Sequence, residues 1–159
     1  MMKTLFRDVH LGDINALLDL DQRCLGGMWT AQSYQREIEN TCSHWVILSL
    51  AETDQVLGAG AFWAVLEEAH ITLLMIDPDY QGQGFGKQLL QALLKKAITL
   101  QLERATLEVN VNNIQAIALY QKAGFQVAGR RKGYYQETGE DALILWQNHL
   151  GNQKIIKTF

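Results

Sequence analysis

Residues 77–94 read DPDYQGQGFGKQLLQALL, and this stretch decides the fold of the chain. An apolar run at 71–76 ends here, glycines follow at positions 82, 84 and 86, and a helical pattern of leucines begins at once. Glycine permits a left-handed backbone and lets the chain approach a ligand closely. A helix that begins at such a loop directs unpaired N–H groups and a partial positive charge toward it. The stretch therefore predicts a strand, a phosphate-binding loop and a helix.

The spacing of the glycines separates the known classes of phosphate loop. A Walker loop requires glycine at position 81 and a hydroxyl side chain at position 88, and both positions are glutamine. A dinucleotide fingerprint fails because its third glycine would fall at position 87 or 89, which are Lys and Leu. What remains is Gln81-x-x-Gly84-x-Gly86. This hexapeptide alone leaves two interpretations open, a pyrophosphate loop or a glycine-rich turn that caps an ordinary amphipathic helix.

Composition and charge are those of an ordinary globular domain. The 159 residues are 48% apolar and 19% charged, with a formal net charge of −3. The basic patch of a general nucleic-acid binder is missing, so we expect no direct contact with nucleic acid. The N-terminal residues lack the apolar segment of a signal peptide, and no apolar run is long enough to span a membrane. We therefore expect a cytoplasmic protein with no membrane partner.

The cysteines and histidines do not form a metal-binding motif. Cys24 and Cys42 are too few for a disulfide framework and lack the spacing of metal ligands. The four histidines, at positions 10, 44, 70 and 149, are scattered along the chain. We expect no metal site and no metal cofactor.

The remaining periodicity predicts a mixture of strands and helices. Three hairpin-linked strands at 44–50, 56–66 and 70–76 predict an antiparallel meander. The glycine-loop helix and a strand at 104–109 add a parallel crossover. Further strands are predicted at 3–9, 125–135 and 142–147, and further helices begin at the capping candidates Asp13, Thr30 and Asn112 or Asn113. Residues 149–159 have no clear pattern, so we expect one domain at 1–148 and a C-terminal tail at 149–159.

Two side chains are candidates for proton-transfer chemistry. Glu108 stands in a predicted central strand, where glutamate is disfavoured. It is either a solvated residue on the polar face or a general base beside an apolar wall. Tyr120 is either a core tyrosine or a donor that protonates a departing thiolate. Trp29, just before a helix cap, either staples that helix to the core or contacts substrate.

A second motif extends the argument beyond the hexapeptide. Residues 107–125 read LEVNVNNIQAIALYQKAGF. Together with the glycine loop, this motif resembles the two signatures of the GNAT family of N-acetyltransferases, in the family's order and separation. Residues 130–135, RRKGYY, and 140–142, EDA, are similar to the end of the RimI-type group, which acetylates the N-terminal alanine of a small-subunit ribosomal protein. The resemblance covers roughly residues 3–147.

The resemblance implies a fold and a set of roles. The fold is an α/β (α+β) architecture with a central mixed, mostly antiparallel sheet of about seven strands and about four flanking helices. Acetyl-CoA is the cosubstrate, Glu108 the proton acceptor and Tyr120 the proton donor, while Tyr134 and Tyr135 lie near the acceptor peptide. The residues implied in acetyl-CoA binding are Leu74, Met75, Ile76, Gln81, Gly82, Gln83, Gly84, Phe85, Gly86, Lys87 and Asn113.

The implied reaction is acetylation of a protein N-terminus, with a ribosomal protein as the partner. Two alternatives within the class are acetylation of other protein N-termini and acetylation of a lysine or a small-molecule amine. A third reading, a non-catalytic acyl-CoA-binding module, predicts loss of Glu108 or Tyr120, and both residues are present.

Overall fold

The glycine loop lies between the fourth strand and the third α-helix of a chain that contains both kinds of element. The computed structural model describes residues 2–151. Within this range the strands are β1 Thr4–Arg7, β2 Ser43–Leu50, β3 Val56–Val65, β4 Glu68–Ile76, β5 Arg104–Asn110, β6 Gln126–Tyr135 and β7 Glu140–Gln147. The α-helices of the same range are α1 Ile14–Leu25, α2 Ala31–Glu39, α3 Phe85–Thr99 and α4 Ile114–Lys122.

All of these strands join one sheet. Across residues 2–151 the seven strands follow the order β1-β2-β3-β4-β5-β7-β6. The β4–β5 pair is parallel, and every other neighbouring pair is antiparallel. The predicted mixed, mostly antiparallel sheet, its meander and its parallel crossover are confirmed.

The helix caps follow the sequence at two of three positions. Thr30 accepts a hydrogen bond from the Ser33 amide, and Asn113 accepts one from the Ala116 amide, both at 3.1 Å. Asp13 stands at the N-cap position of α1 as predicted, but the expected capping bond is not made by its carboxylate. It binds the Arg7 guanidinium at 2.8 and 2.9 Å and the His10 amide at 2.9 Å instead. A bidentate charged donor competes successfully with a single backbone amide.

Helices cover both faces of the sheet. One core cluster packs α1 and α2 against residues such as Trp45, Ile47 and Met75, and the other packs α3 and α4 against Leu48 and Leu107. Helix α3 approaches β3 closely where the strand is glycine. At Gly60, for example, a Cβ atom would lie 2.5 Å from Cδ1 of Leu93.

The β4–β5 pairing is short, and this feature creates the site. The register runs only from Glu68 opposite Arg104 to His70 opposite Thr106, although both strands continue beyond these residues. A register shift opposite β3 leaves Thr72 without a partner in the ladder. Before this bulge Ala69 and Ile71 belong to the α3 cluster, and after it Leu73 and Met75 belong to the α1–α2 cluster. A bulge bends its strand, and here β4 and β5 diverge beyond it.

The C-terminal boundary at residue 148 stays a prediction. Leu150 is buried, and its amide donates to the carbonyl of Glu103 at 3.0 Å, so the first residues of the predicted tail pack on the domain. The rest of that tail, 152–159, lies outside the described residues. Along residues 2–151, no helix combines the length and the apolar character that crossing a bilayer requires.

Candidate active site

A large cavity occupies the gap between the diverging strands. Its volume is about 890 Å³, and it extends from the glycine loop to the α1–α2 connection and to β6. Most of the predicted site residues line it, namely Leu74, Ile76, Gln81, Gly82, Gly84, Gly86, Lys87, Glu108, Asn113 and Tyr120. Three of the residues implied in cofactor binding do not. Met75 and Phe85 are buried in the two cores, and the exposed Gln83 lies outside the lining.

The glycine loop presents an open backbone cradle. Gly82 and Gly84 have φ of 78° and 86°, a left-handed conformation that favours glycine. A Cβ atom at either position would meet nothing within 4 Å, so the space above the loop is free. Gly84 is the N-cap residue of α3 and provides no side-chain cap. The first-turn amides of α3 are therefore available to an anion, and the residues present fit a pyrophosphate group.

The loop is anchored to the end of β4. The Gln81 side-chain amide donates to the carbonyl of Ile76 at 3.0 Å, and the Cys24 thiol contacts the same oxygen at 3.2 Å. Asp77 accepts the amide of Asp79 at 2.9 Å. Gln81 thus fixes the shape of the loop by a bond back to the strand.

Glu108 lies inside the cavity wall rather than on a solvated face. Its side chain is 15% exposed, which removes the interpretation of a solvated strand position. Oε2 lies 2.7 Å from Nε2 of His70, and Oε1 lies 3.9 Å from Nη2 of Arg131. Neither partner is predictable from the local sequence around Glu108. From its sequence position His70 is considered only as a metal ligand, but β4 brings it beside Glu108, 38 positions away.

Tyr120 also lines the cavity and is 7% exposed. Its ring packs edge to face on Phe125, with centroids 5.6 Å apart. Burial, with a smaller contribution from Tyr135, raises the pKa of the phenol above its ordinary value of 10.0. The two sequence interpretations therefore combine, since Tyr120 is a core tyrosine that also faces the cavity and keeps its proton.

Asn113, Trp29 and Asp21 have structural roles near the cavity. Asn113, implied in cofactor contact, is the N-cap of α4. The ring of Trp29 packs on Tyr34, with centroids 4.9 Å apart, and its indole also lines the cavity. The buried Asp21 carboxylate accepts the Trp29 amide and the Tyr34 hydroxyl, and so holds the α1–α2 connection in place.

Strand β6 also borders the cavity. Tyr134 and Tyr135 line it, with their rings in an edge-to-face arrangement at 5.1 Å. Asp141 accepts the Arg130 guanidinium at 2.7 Å and the Gly133 amide at 2.9 Å, which holds the irregular end of β6. Among residues 2–151, no three His, Cys, Asp or Glu side chains are grouped as metal ligands would be.

Comparison with known proteins identifies the family. The model of the acetyltransferase (GNAT) family matches residues 14–125, more than half of the chain. The chain belongs to the GNAT family. Membership, together with relatives named as N-acetyltransferases, confirms the predicted enzyme class, an acetyl-CoA-dependent N-acetyltransferase, and its cosubstrate.

Two relatives of this GNAT acetyltransferase match along most of their length. A Bacillus subtilis (strain 168) protein, named provisionally as a ribosomal protein bS18-alanine N-acetyltransferase, is 34% identical over 91% of this chain and 95% of its own. The Escherichia coli (strain K12) protein with the same activity in its name is 31% identical over 84% of this chain and 89% of its own.

Solved structures agree with the GNAT fold. The crystal structure of the Escherichia coli ribosomal-protein-S18-alanine N-acetyltransferase matches with a TM-score of 0.83 and 27% identity, over 91% of this chain and 92% of the other. An Arabidopsis thaliana NAA60 complex with acetyl-CoA also has a TM-score of 0.83, over 91% of this chain and 98% of the other. At 16% identity the NAA60 likeness shows the fold alone.

Proposed function

We propose that this GNAT enzyme acetylates the α-amino group of a protein N-terminus, and that its substrate is the N-terminal alanine of ribosomal protein bS18. The named relatives support this substrate, because they match along nearly their whole length at 34% and 31% identity. The observation that carries the proposal is the placement of Glu108 and Tyr120 in the walls of one cavity. Residues of the glycine loop and the β6 residues Tyr134 and Tyr135 line the same cavity.

The residues divide the proton transfers between them. Acetyl-CoA supplies a thioester whose carbonyl carbon accepts the amine nitrogen as the C–S bond breaks. Glu108 accepts the proton that the amine loses. Tyr120 donates its phenolic proton to the departing sulfur, and its raised pKa keeps that proton in place at neutral pH. Beyond His70, β4 no longer pairs with β5. Backbone N–H groups on this edge of β4 can therefore polarise the thioester carbonyl.

The acidity of the acceptor favours an α-amine. An α-amino group has a pKa near 7.8, so roughly one in seven is already neutral at pH 7. A lysine side chain, with a pKa near 10.4, needs about 3.5 kcal/mol more for the same deprotonation. One carboxylate suits the first acceptor better than the second.

The test is CoA release with matched acceptors. One peptide carries the N-terminal sequence of bS18 with a free alanine, and its control is the same peptide with the α-amine acetylated and an internal lysine added. We expect turnover on the free N-terminus and little on the blocked peptide. Turnover on the blocked peptide, or on a small diamine in preference to both, would overturn the proposed acceptor while leaving the enzyme class intact.

A further inference from the structure

His70 occupies a special position in the sheet. It is the last β4 residue that pairs with β5, two residues before the bulge at Thr72. Its side chain is 33% exposed and lines the cavity. His70 pairs with Thr106 in the β4–β5 register. Its side chain contacts Glu108, two positions further along β5.

The bond between the two side chains has a defined direction. A carboxylate only accepts hydrogen bonds, so an ionised Glu108 requires the hydrogen on Nε2 of His70. The 2.7 Å separation is that of a short, charge-assisted bond. Arg131, at 3.9 Å from Oε1, is too far away for a hydrogen bond. One carboxylate oxygen is therefore occupied, and no donor among residues 2–151 lies within bonding distance of the other.

The imidazole is itself held in place. The ring of Trp63 meets it edge to face, with centroids 5.9 Å apart and planes at 87°. The Trp63 indole N–H is held in turn by both carboxylate oxygens of Glu37, at 2.9 and 3.1 Å. A continuous set of contacts thus runs from Glu37 on α2 through Trp63 and His70 to Glu108.

We propose that His70 is a positioning residue for acetyl transfer, which binds Oε2 of Glu108 and leaves Oε1 to receive the proton of the acceptor amine. The proposal rests on the role of Glu108 in the proposed function. Holding a reacting group in one geometry removes rotational freedom that would otherwise be lost at the transition state. The Arg131 guanidinium, 3.9 Å from Oε1, does not occupy the oxygen that reacts.

Two substitutions of His70 distinguish a role in positioning the Glu108 carboxylate from a role in packing. In His70→Gln the side-chain amide nitrogen is the same number of bonds from Cα as Nε2 of histidine, so the donor to Glu108 is retained. In His70→Asn the amide is one bond shorter and reaches only the position of Nδ1. We expect kcat within about 3-fold of wild type for His70→Gln, and a fall of about 10- to 100-fold for His70→Asn, the range of a hydrogen bond to a charged group. The KM for acetyl-CoA should stay unchanged in both.

A double-mutant cycle tests whether His70 acts through Glu108. With Glu108→Gln as the background, adding His70→Asn should produce no further loss of kcat. Thermal unfolding of each variant confirms that it is folded. Independent, multiplicative losses, equal damage from Gln and Asn, or a His70→Asn enzyme with wild-type kcat would each overturn the proposal.

The failures of the two proposals can be told apart. If the wild-type enzyme does not acetylate the bS18 peptide, the proposed substrate is wrong. The double-mutant cycle is then measured with whichever of the other acceptors, the blocked peptide or the small diamine, the enzyme acetylates. If Glu108→Gln has wild-type turnover, the proton-acceptor role of Glu108 fails, and the positioning role of His70 fails with it. If the peptide is acetylated and Glu108→Gln lowers turnover, but the His70 variants have wild-type turnover, the proposed function stands. The positioning role of His70 alone is then wrong.

Discussion

Arg23 and Asp77 form a bidentate ion pair between the last turn of α1 and the start of the glycine loop. Nη1 lies 2.7 Å from Oδ1, and Nη2 lies 3.0 Å from Oδ2. The Asp77 side chain is only 4% exposed. The pair therefore joins the end of α1 to the start of the glycine loop.

Replacing Arg23 should destabilise the protein in a pH-dependent way. Burial by itself would raise the pKa of Asp77, but the hydrogen bonds from Arg23 and from the Asp79 amide lower it below 3.8 overall. A carboxyl with a depressed folded-state pKa stabilises the protein above its unfolded pKa, and this contribution is lost as the pH falls through the folded value. We expect Arg23→Met to cost about 2 kcal/mol at pH 7 and much less at pH 3.

Urea denaturation at both pH values measures this difference. Arg36→Met, at an exposed position of α2, is the control and should leave the free energy of unfolding nearly unchanged. An equal loss for Arg23→Met at both pH values would show that the ion pair is not its cause.

Glu108→Gln should separate catalysis from cofactor binding. The substitution keeps the size of the side chain and removes the basic oxygen, so we expect kcat/KM for the peptide to fall about 100-fold or more. The Kd for acetyl-CoA, measured by calorimetry, should stay within about 2-fold of wild type. Glu52→Gln in the exposed β2–β3 turn is the control. Loss of acetyl-CoA binding in Glu108→Gln would contradict the assigned role.

Tyr120→Phe should lower kcat about 100-fold, because it removes the proton donor while it keeps the buried ring. The raised pKa of Tyr120 predicts in addition that wild-type kcat shows no decline due to this phenol up to pH 10. A pH profile of kcat checks both points, with Tyr80→Phe as the matched control. An unchanged kcat in Tyr120→Phe would assign the proton to another donor.

Gly84→Val should impair the cofactor loop more than the fold. The left-handed backbone, with φ of 86°, makes any side chain costly by about 1–2 kcal/mol, and the added atoms would project into the open cradle. Gly139→Val is a matched control, because Gly139 has φ of 71°, open space at its Cβ and a position in the β6–β7 turn. Both variants should lose similar stability.

Only Gly84→Val should weaken acetyl-CoA binding, by about tenfold or more, which is about 1.4 kcal/mol. Calorimetric titration of both variants makes the comparison. Equal affinities of the two variants for acetyl-CoA would contradict the proposal that this loop binds the pyrophosphate.

Gly58→Ala should destabilise the sheet, although alanine is ordinarily better than glycine within a strand. A Cβ atom at Gly58 would lie 2.8 Å from the carbonyl oxygen of Met75, and this backbone atom cannot move away cheaply. We expect a loss of about 1–3 kcal/mol. A Cβ atom at Gly129 in β6 would lie 3.5 Å from Cδ1 of Ile144, which is ordinary van der Waals contact. Gly129→Ala should therefore be neutral or slightly stabilising. Thermal unfolding of the pair tests this contrast.

Much of the fold was predictable because its signals are local. The alternation in β5, the capping residues Thr30 and Asn113, and the glycines before α3 each act through neighbouring residues. The two family motifs also identified Glu108 and Tyr120, which the structure brings to one cavity.

Long-range contacts account for what was missed. A titratable ring at position 70, in an otherwise apolar and uncharged stretch at 69–76, was the available signal for His70. It could not be interpreted without the register between β4 and β5. That register depends on how α3 packs the crossover against the sheet. Asp13 was misjudged for a different reason: its partner Arg7 is only six residues away, but the turn that brings the end of β1 beside the start of α1 was not predicted.

The sequence by itself determined the order of strands and helices, the phosphate-loop backbone and the family to which the chain belongs. Tertiary structure alone decided where β4 and β5 part, because the bulge at Thr72 depends on packing against two different cores. It also decided which oxygen of Glu108 is occupied by His70. Local periodicity sets the direction of each side chain along its own element, but the distance between two elements is set only when both bury their apolar faces together.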